Sequence, residues 1–118
     1  MRKLTLFFIL LSSQSNFYAQ TSCSDLLNRV ESESYGTTYS SYGSDAISQV
    51  TFYDLTDDSY NTYYFAVVQF TSSYNKYIYQ VSSITERNYS YNYITSAGKA
   101  FWKYIQPYNE NLNCAPDF

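Results

Sequence analysis

The chain of 118 residues carries a formal net charge of −3, contains 16 tyrosines and has no histidine. Its length is typical of one domain, and an aromatic content of 21% argues against a disordered chain, which would be poor in aromatic residues. Without histidine, the Ser/His/Asp and Cys/His nucleophile systems, histidine metal ligands and a histidine pH switch are all excluded.

Residues 1–19 have the pattern of a signal peptide. The positive pair Arg2-Lys3 precedes an apolar run of eight residues, 4–11. That length is within the roughly 7–15 residues of a leader's apolar core, and it is too short to span a membrane. Three positions are candidate cleavage sites, with the first preferred: after Ala19, Ser15 or Ser22.

Cleavage leaves five basic and ten acidic residues, hence a net charge of −5. The mature chain is expected in the periplasm or outside the cell, with no membrane span. Anchoring as a lipoprotein through Cys23 is disfavoured, because the residues before it lack the usual Leu and small-residue pair. An acidic chain repels phosphate backbones, which weighs against nucleic acid as a partner.

Two cysteines remain after cleavage, Cys23 and Cys114. In an exported chain, two cysteines most simply form a disulfide. The alternative, a catalytic redox pair, usually has the close spacing Cys-x-x-Cys. Two cysteines without histidine cannot complete a four-ligand zinc site. The sequence therefore predicts a structural bridge between the two ends of the mature chain.

A short helix is predicted over 23–33, because apolar residues recur there at i, i+3, i+4 and i+7. Ser22 is its expected N-cap, three residues before Asp25, and Gly36 its expected stop. The Ser/Tyr/Gly-rich segment 34–45 is either a long loop or a loop with an edge strand around Thr38–Tyr42. Its composition is typical of adaptable binding loops.

Three strands are then predicted, over Ile47–Leu55, Thr62–Phe70 and Lys76–Val81, because apolar residues alternate along each of them. Polar turn clusters separate the strands, and such short connections predict an antiparallel meander. Both faces of the second strand are apolar, which indicates a central position in the sheet.

Two helices are predicted at the end of the domain, over 84–94 and 97–106. The first follows a capping box, Ser83 to Glu86, and the second has Ser96 as its N-cap and stops before Pro107. The predicted fold class is α+β: a small antiparallel meander of three to four strands, with the N-terminal helix and the two C-terminal helices packed on one face.

Three short motifs within residues 44–108 resemble the KTSC domain, a small bacterial domain found alone or at the C-terminus of some lysyl-tRNA synthetases. The family's opening Ser-x-x-Ile is similar to Ser44 and Ile47, followed by the strand Val50–Tyr53. The family's Tyr-x-Tyr is similar to Tyr77 and Tyr79, and its late Ser-x-Gly pattern is similar to Ser96 and Gly98 with Phe101 and Ile105. Two segments lie outside this resemblance: an N-terminal helix and loop, 20–43, and a tail, 109–118. It implies a fold rather than an activity, and RNA binding has been suggested for the family.

RNA binding needs aromatic rings to stack bases and cations to follow the backbone. Five residues are the candidates for this role: Tyr77, Tyr79, Lys76, Lys99 and Lys103. Alternatively, Tyr77 and Tyr79 are sheet residues that pack against a helix. Acidic residues cluster at Asp54, Asp57 and Asp58, and we interpret them as a solvated turn.

The large number of tyrosines exceeds what a core of this size can hide, so some must be exposed, and clustered exposed aromatics mark interaction sites. No catalytic, cofactor or metal site is predicted. The sequence therefore favours an exported, non-catalytic binding module with a Tyr-rich surface, whose partner is a protein, a glycan or a cell surface. The alternative is an RNA-binding module, as suggested for the KTSC family.

Overall fold

A computed structural model describes residues 23–116 of the chain. The predicted signal peptide, 1–19, and the predicted cap Ser22 lie outside the described residues. The elements follow one another in the order α1 (23–33), β1 (Thr37–Ser40), β2 (Ile47–Thr56), β3 (Thr62–Phe70), β4 (Lys76–Val81), α2 (Thr85–Asn92), α3 (Ala97–Tyr104), a 3-10 turn (Gln106–Tyr108) and α4 (Asn109–Leu112). None of the helices among these residues is long and apolar enough to cross a membrane.

The four strands form one antiparallel sheet in the order β1-β2-β3-β4, which confirms the predicted meander. The edge strand expected in the Ser/Tyr/Gly-rich segment is β1, and Tyr39 pairs with Val50 of β2. An irregularity between Ile47 and Gln49 shifts the register at the start of β2. Such a bulge lets Ile47 join Val50 in the same core, although strict alternation would separate them.

The α+β class is confirmed, but the helices do not all lie on one face as predicted. Ala66, Val68 and Tyr79 pack with buried residues of α2 and α3. Phe65, Val67 and Ile78 point the other way and pack with Val30 of α1. The reason is the apolar character of both faces of β3: each face needs a cover, and one helical layer can bury only one of them.

The C-terminal tail crosses the β4 side of the sheet to reach α1. α4 contacts β4, and the Asn111 side-chain amide donates a hydrogen bond of 2.8 Å to the Gln80 carbonyl. Cys114 then joins Cys23 in a disulfide with a Cα–Cα distance of 5.7 Å, which confirms the predicted bridge. The Cys23 sulfur is therefore not free to carry a lipid.

The two helices α2 and α3 are shorter than predicted, and the capping residue of α2 differs. Ser83 does not cap α2; instead the Ser82 hydroxyl accepts the Ile84 amide at 3.3 Å, and the Thr85 hydroxyl accepts the Ser82 amide at 3.1 Å. The prediction for α3 is confirmed at its start, where the Ser96 hydroxyl accepts the Lys99 amide.

Candidate binding groove

The five residues suggested for RNA binding are not assembled into one surface. Tyr79 is completely buried, and its ring contacts that of Phe101 at a centroid distance of 5.7 Å. Lys76 is on the α1 side of the sheet, where its ammonium is 3.1 Å from the Glu31 carboxylate. Lys99 and Lys103 line a small depression on α3, on the opposite side. Tyr77 is partly buried next to the α3 layer.

Burial sets the properties of Tyr79 as a sheet residue. Its hydroxyl makes no hydrogen bond to any described residue, and burial raises the pKa of this hydroxyl far above its usual range, with a smaller contribution from Tyr77. A ring in this position cannot stack on a nucleotide base without unfolding the core. Of the Tyr-x-Tyr pair, only Tyr77 reaches the surface.

Two adjoining depressions lie at one end of the sheet, and we call them together the end groove. Its polar half is lined by the β1–β2 loop, 40–46, and by residues 93–98 between α2 and α3, and it has a volume of about 680 Å³. Its aromatic half, of about 350 Å³, is lined by residues that include Phe70, Tyr77 and Trp102. Three residues line both halves, so the two depressions adjoin each other there: Asp45, Ala46 and Gly98. The polar half also shares Thr95 and Ser96 with a third depression, the one that contains Lys99 and Lys103.

Hydrogen bonds fix the loop that forms one wall of the groove. The Ser44 hydroxyl accepts the amides of Ala46 at 3.2 Å and of Ile47 at 3.0 Å, which closes a tight turn. The Ser41 amide donates to the Ser48 carbonyl, and the Thr71 amide donates to the Ala46 carbonyl at 2.8 Å. The loop is thereby attached to both β2 and the end of β3, so this wall is held in place before any ligand arrives.

The opposite wall is held by aromatic packing. Tyr93 lines the polar half, and its ring stacks on the buried ring of Tyr89 at a centroid distance of 5.5 Å. Tyr39 packs edge-on against both rings, and its hydroxyl donates to the Glu86 carboxylate at 2.9 Å. Burial, followed by this hydrogen bond, raises the pKa of Tyr39 to about 12.

The chemical character of the groove is hydroxyl-rich and nearly uncharged. Among the described residues that line it, Asp45 is the single charged side chain, and none of them is Lys or Arg. The hydroxyl-bearing serines and threonines are Ser40, Ser41, Ser44, Ser72, Ser73, Thr95 and Ser96. The Ser41 hydroxyl is buried and faces the buried Tyr89: burial raises the pKa of Tyr89, and a side-chain hydrogen bond with Ser41 opposes that rise. Trp102, at the aromatic end, is 48% exposed.

The predicted exposure of tyrosines is found at both ends of the sheet. Tyr42 and Tyr74 lie on the loops at the groove end, and both are almost fully exposed. Three more exposed tyrosines lie toward the other end: Tyr35, Tyr60 and Tyr63. The aromatic surface is therefore not one continuous patch. At the groove end, however, it adjoins a concave site.

Asp57 and Asp58 lie in the turn between β2 and β3, as we interpreted them, whereas Asp54 is a residue of β2. The Asp57 carboxylate accepts the amides of Ser59 and Asn61, each at 2.9 Å, and the Tyr63 hydroxyl. These hydrogen bonds, above all the one from the Asn61 backbone, lower the pKa of Asp57. Within residues 23–116, no group of three or more Cys, Asp or Glu side chains is arranged to hold a metal ion.

The groove was visible in the sequence only in part. Segment 34–45 has the composition of a binding loop, and its residues 40–45 do line the polar half. The other lining residues come from the β3–β4 turn, the α2–α3 connection and α3, which no local pattern links. Trp102 is the one tryptophan of the chain. We did not predict it as a site residue, although a single tryptophan was a signal that the sequence offered.

Comparison with known proteins adds no homologue. No family model matches the sequence, and no curated protein or solved structure is significantly similar to it. The resemblance to the KTSC domain stays a prediction that rests on the motif residues alone.

Proposed function

We propose that this protein is an exported, non-catalytic binding module and that the end groove is its ligand site. One observation carries the proposal: a pre-formed cavity lined by hydroxyl groups adjoins a depression that contains the half-exposed Trp102. Gly98 and Asp45 line both. Pockets of about 300–1,000 Å³ with aromatic walls and a few polar groups are typical of small-molecule sites, and each half of the groove is within this range.

Export is supported by two separate features. The first 19 residues have the composition of a cleavable leader, and the domain that follows contains a disulfide between Cys23 and Cys114. Disulfides persist in the periplasm and outside the cell and are rare in the cytosol. An exported module with a rigid groove is suited to capture a ligand from the surroundings of the cell.

The absence of catalysis is part of the proposal, and the groove's composition supports it. Asp45 is the single carboxylate that lines the groove, whereas carboxylate-based hydrolysis needs a second one opposite the first. The clustered aspartates lie elsewhere, and Asp57 is occupied by the hydrogen bonds of its own turn.

RNA binding is the second candidate, and one observation favours it. Lys99 and Lys103 lie together in a depression that also contains Asn92 and Tyr104. This pair of cations can hold a phosphate, and the likeness to the KTSC domain points the same way. Against it, Tyr79 is buried and Lys76 lies across the sheet. We therefore rank RNA below the groove ligand.

The experiment is a protein-observed NMR titration of the purified mature chain. The probes are a mixture of neutral oligosaccharides, a random peptide library and single-stranded poly(U). We expect amide shifts in 41–46, 72–73 and 93–98, with none around Asp57 at the far end. Product formation from any probe would remove the non-catalytic part of the proposal.

The same titration tests the alternative. Shifts confined to the surroundings of Lys99 and Lys103, caused by poly(U), weakened by salt and abolished by Lys99→Ala and Lys103→Ala, would replace the groove by an RNA site. The salt dependence is decisive, because phosphate contacts release counterions whereas contacts to uncharged ligands do not.

A further inference from the structure

We infer that the end groove binds a neutral oligosaccharide. This inference rests on the proposed function and names the ligand class of the same site. A sugar ring has two kinds of surface: hydroxyl groups around its rim and apolar C–H groups on its faces. The groove offers both counterparts side by side, because hydroxyl groups line its polar half and aromatic rings line the other half.

The aromatic half supplies flat apolar surface at the right place. Trp102 is half-exposed, Phe70 and Tyr77 are partly buried beside it, and the Phe70 ring meets that of Phe101 edge-on at 5.3 Å. The rings are thus held by the core while part of the surface remains open. Large, rigid aromatic side chains give contact area at low cost in conformational entropy.

The polar half supplies hydroxyl groups that can still donate hydrogen bonds. The Ser44 and Ser96 hydroxyls accept backbone amides, and each hydroxyl keeps a proton to donate to a ligand. Asp45 offers carboxylate oxygens, which accept hydrogen bonds and cannot donate them. A polyhydroxyl ligand can donate to the carboxylate and both donate to and accept from the serines.

Charge decides against other ligand classes. Among the described residues, Asp45 is the one charged side chain that lines either half, so a phosphate or uronic acid bound in the groove would lie beside a carboxylate. Lys99 and Lys103 line the adjoining depression, and the anionic probe below tests whether they attract such a ligand. A predominantly apolar peptide fits the aromatic half, but it can pair with the serine hydroxyls of the polar half only through its backbone N–H and C=O groups. A neutral saccharide satisfies both halves.

Trp102 provides a site-specific signal, because it is the only tryptophan of the chain. Its fluorescence can be excited selectively despite the many tyrosines, and acrylamide quenching measures its exposure. The probes are neutral glycans (laminarin, mannan, galactan and chitin oligosaccharides) and, as an anionic counterpart to galactan, polygalacturonate. We expect at least one neutral glycan to change the emission saturably and to protect Trp102 from acrylamide, with no binding of polygalacturonate.

Two variants, Trp102→Ala and Gly98→Ala, test whether the glycan binds in the groove, and Tyr91→Ala is their control. Trp102→Ala is expected to weaken binding about tenfold in affinity gel electrophoresis, whereas Tyr91→Ala, which removes an exposed ring outside the groove, leaves binding unchanged. Gly98→Ala adds a methyl at the junction of the two halves, and it meets only the Ala46 Cβ at an ordinary 3.7 Å. It should weaken binding without lowering the melting temperature, since alanine favours the helix.

The outcomes separate this inference from the proposed function. Failure of every neutral glycan to affect Trp102, or preference for polygalacturonate, overturns the saccharide. A peptide of the random library that binds in the groove while no sugar does overturns the saccharide and leaves the binding module intact. Silence from every probe class at Trp102 and at the groove amides overturns both.

Discussion

Removal of the Cys23–Cys114 disulfide is expected to cost the domain a large part of its stability. The bridge joins residues 91 positions apart. Its reduction therefore increases the conformational entropy of the unfolded chain, because a long loop is no longer closed. In the chain-entropy treatment a loop of that length contributes about 4.6 kcal/mol at 25 °C, and measured bridges commonly give about 2–4 kcal/mol. Domains are stable by only about 5–15 kcal/mol, so the loss is easily measured.

The assay is urea denaturation of the mature protein, followed by circular dichroism. The double variant Cys23→Ser/Cys114→Ser should lose about 2–4 kcal/mol of unfolding free energy, and the reduced parent protein should match it. Val30→Ala is the control, because Val30 of α1 is fully buried against the sheet. Its cost of about 2 kcal/mol arises from folded-state packing and should be the same in oxidised and reduced protein.

Two results would refute this reasoning. Intact mass spectrometry should find the oxidised protein lighter than the reduced form by the mass of two hydrogens, and equal masses would show that the bridge does not form. If the bridge forms but its removal costs less than about 1 kcal/mol, restriction of the unfolded chain is not what the bridge contributes.

Two further predictions concern the loops. At Gly36 an added Cβ would clash with side-chain carbons of Thr51 and Tyr53, so Gly36→Ala should lower the unfolding free energy by about 1–3 kcal/mol. Gly43→Ala, with open space around it, should change stability little, and equal effects of the two substitutions would contradict the steric account. Hydrogen bonds, chiefly from the Asn61 backbone amide, lower the pKa of Asp57 below its usual value of 3.8. The ionised Asp57 carboxylate therefore stabilises the folded state above pH 3.8, and this contribution is lost as the pH falls through the lowered pKa. Thermal melts should therefore place Asp57→Ala below Asp58→Ala at neutral pH and bring the two together in acid, and a gap that persists in acid would contradict the role of the carboxylate.

The strands were predictable because their pattern is local. Alternation of apolar residues, with polar turns between, placed β3 and β4 at their observed bounds and β2 within one residue. The bulge at Ile47 was not predictable, since it depends on pairing with β3. The side of the sheet covered by α1 was predicted wrongly, although the apolar second face of β3 already required a cover there.

The site was less predictable than the fold, for physical reasons. Tyrosine suits both a core and a surface, so the sequence could not tell that Tyr79 would be buried while Tyr42 is exposed. The end groove joins segments far apart in sequence, and its concavity arises only when α3 is laid against the β1–β2 loop. Gly98 lies beside Ala46 there, and neither glycine nor alanine indicates a binding site in a sequence.

The two edges of the sheet differ in a way that bears on association between copies. α4 and the Asn111 side chain occupy the outer side of β4, whereas β1, within residues 23–116, has a paired strand on one side only. β1 also contains no charged residue or proline, the usual guards against strand addition. Two molecules that paired through β1 would use up the open edge of each, so growth by strand addition would end at a symmetric dimer instead of continuing into a fibre.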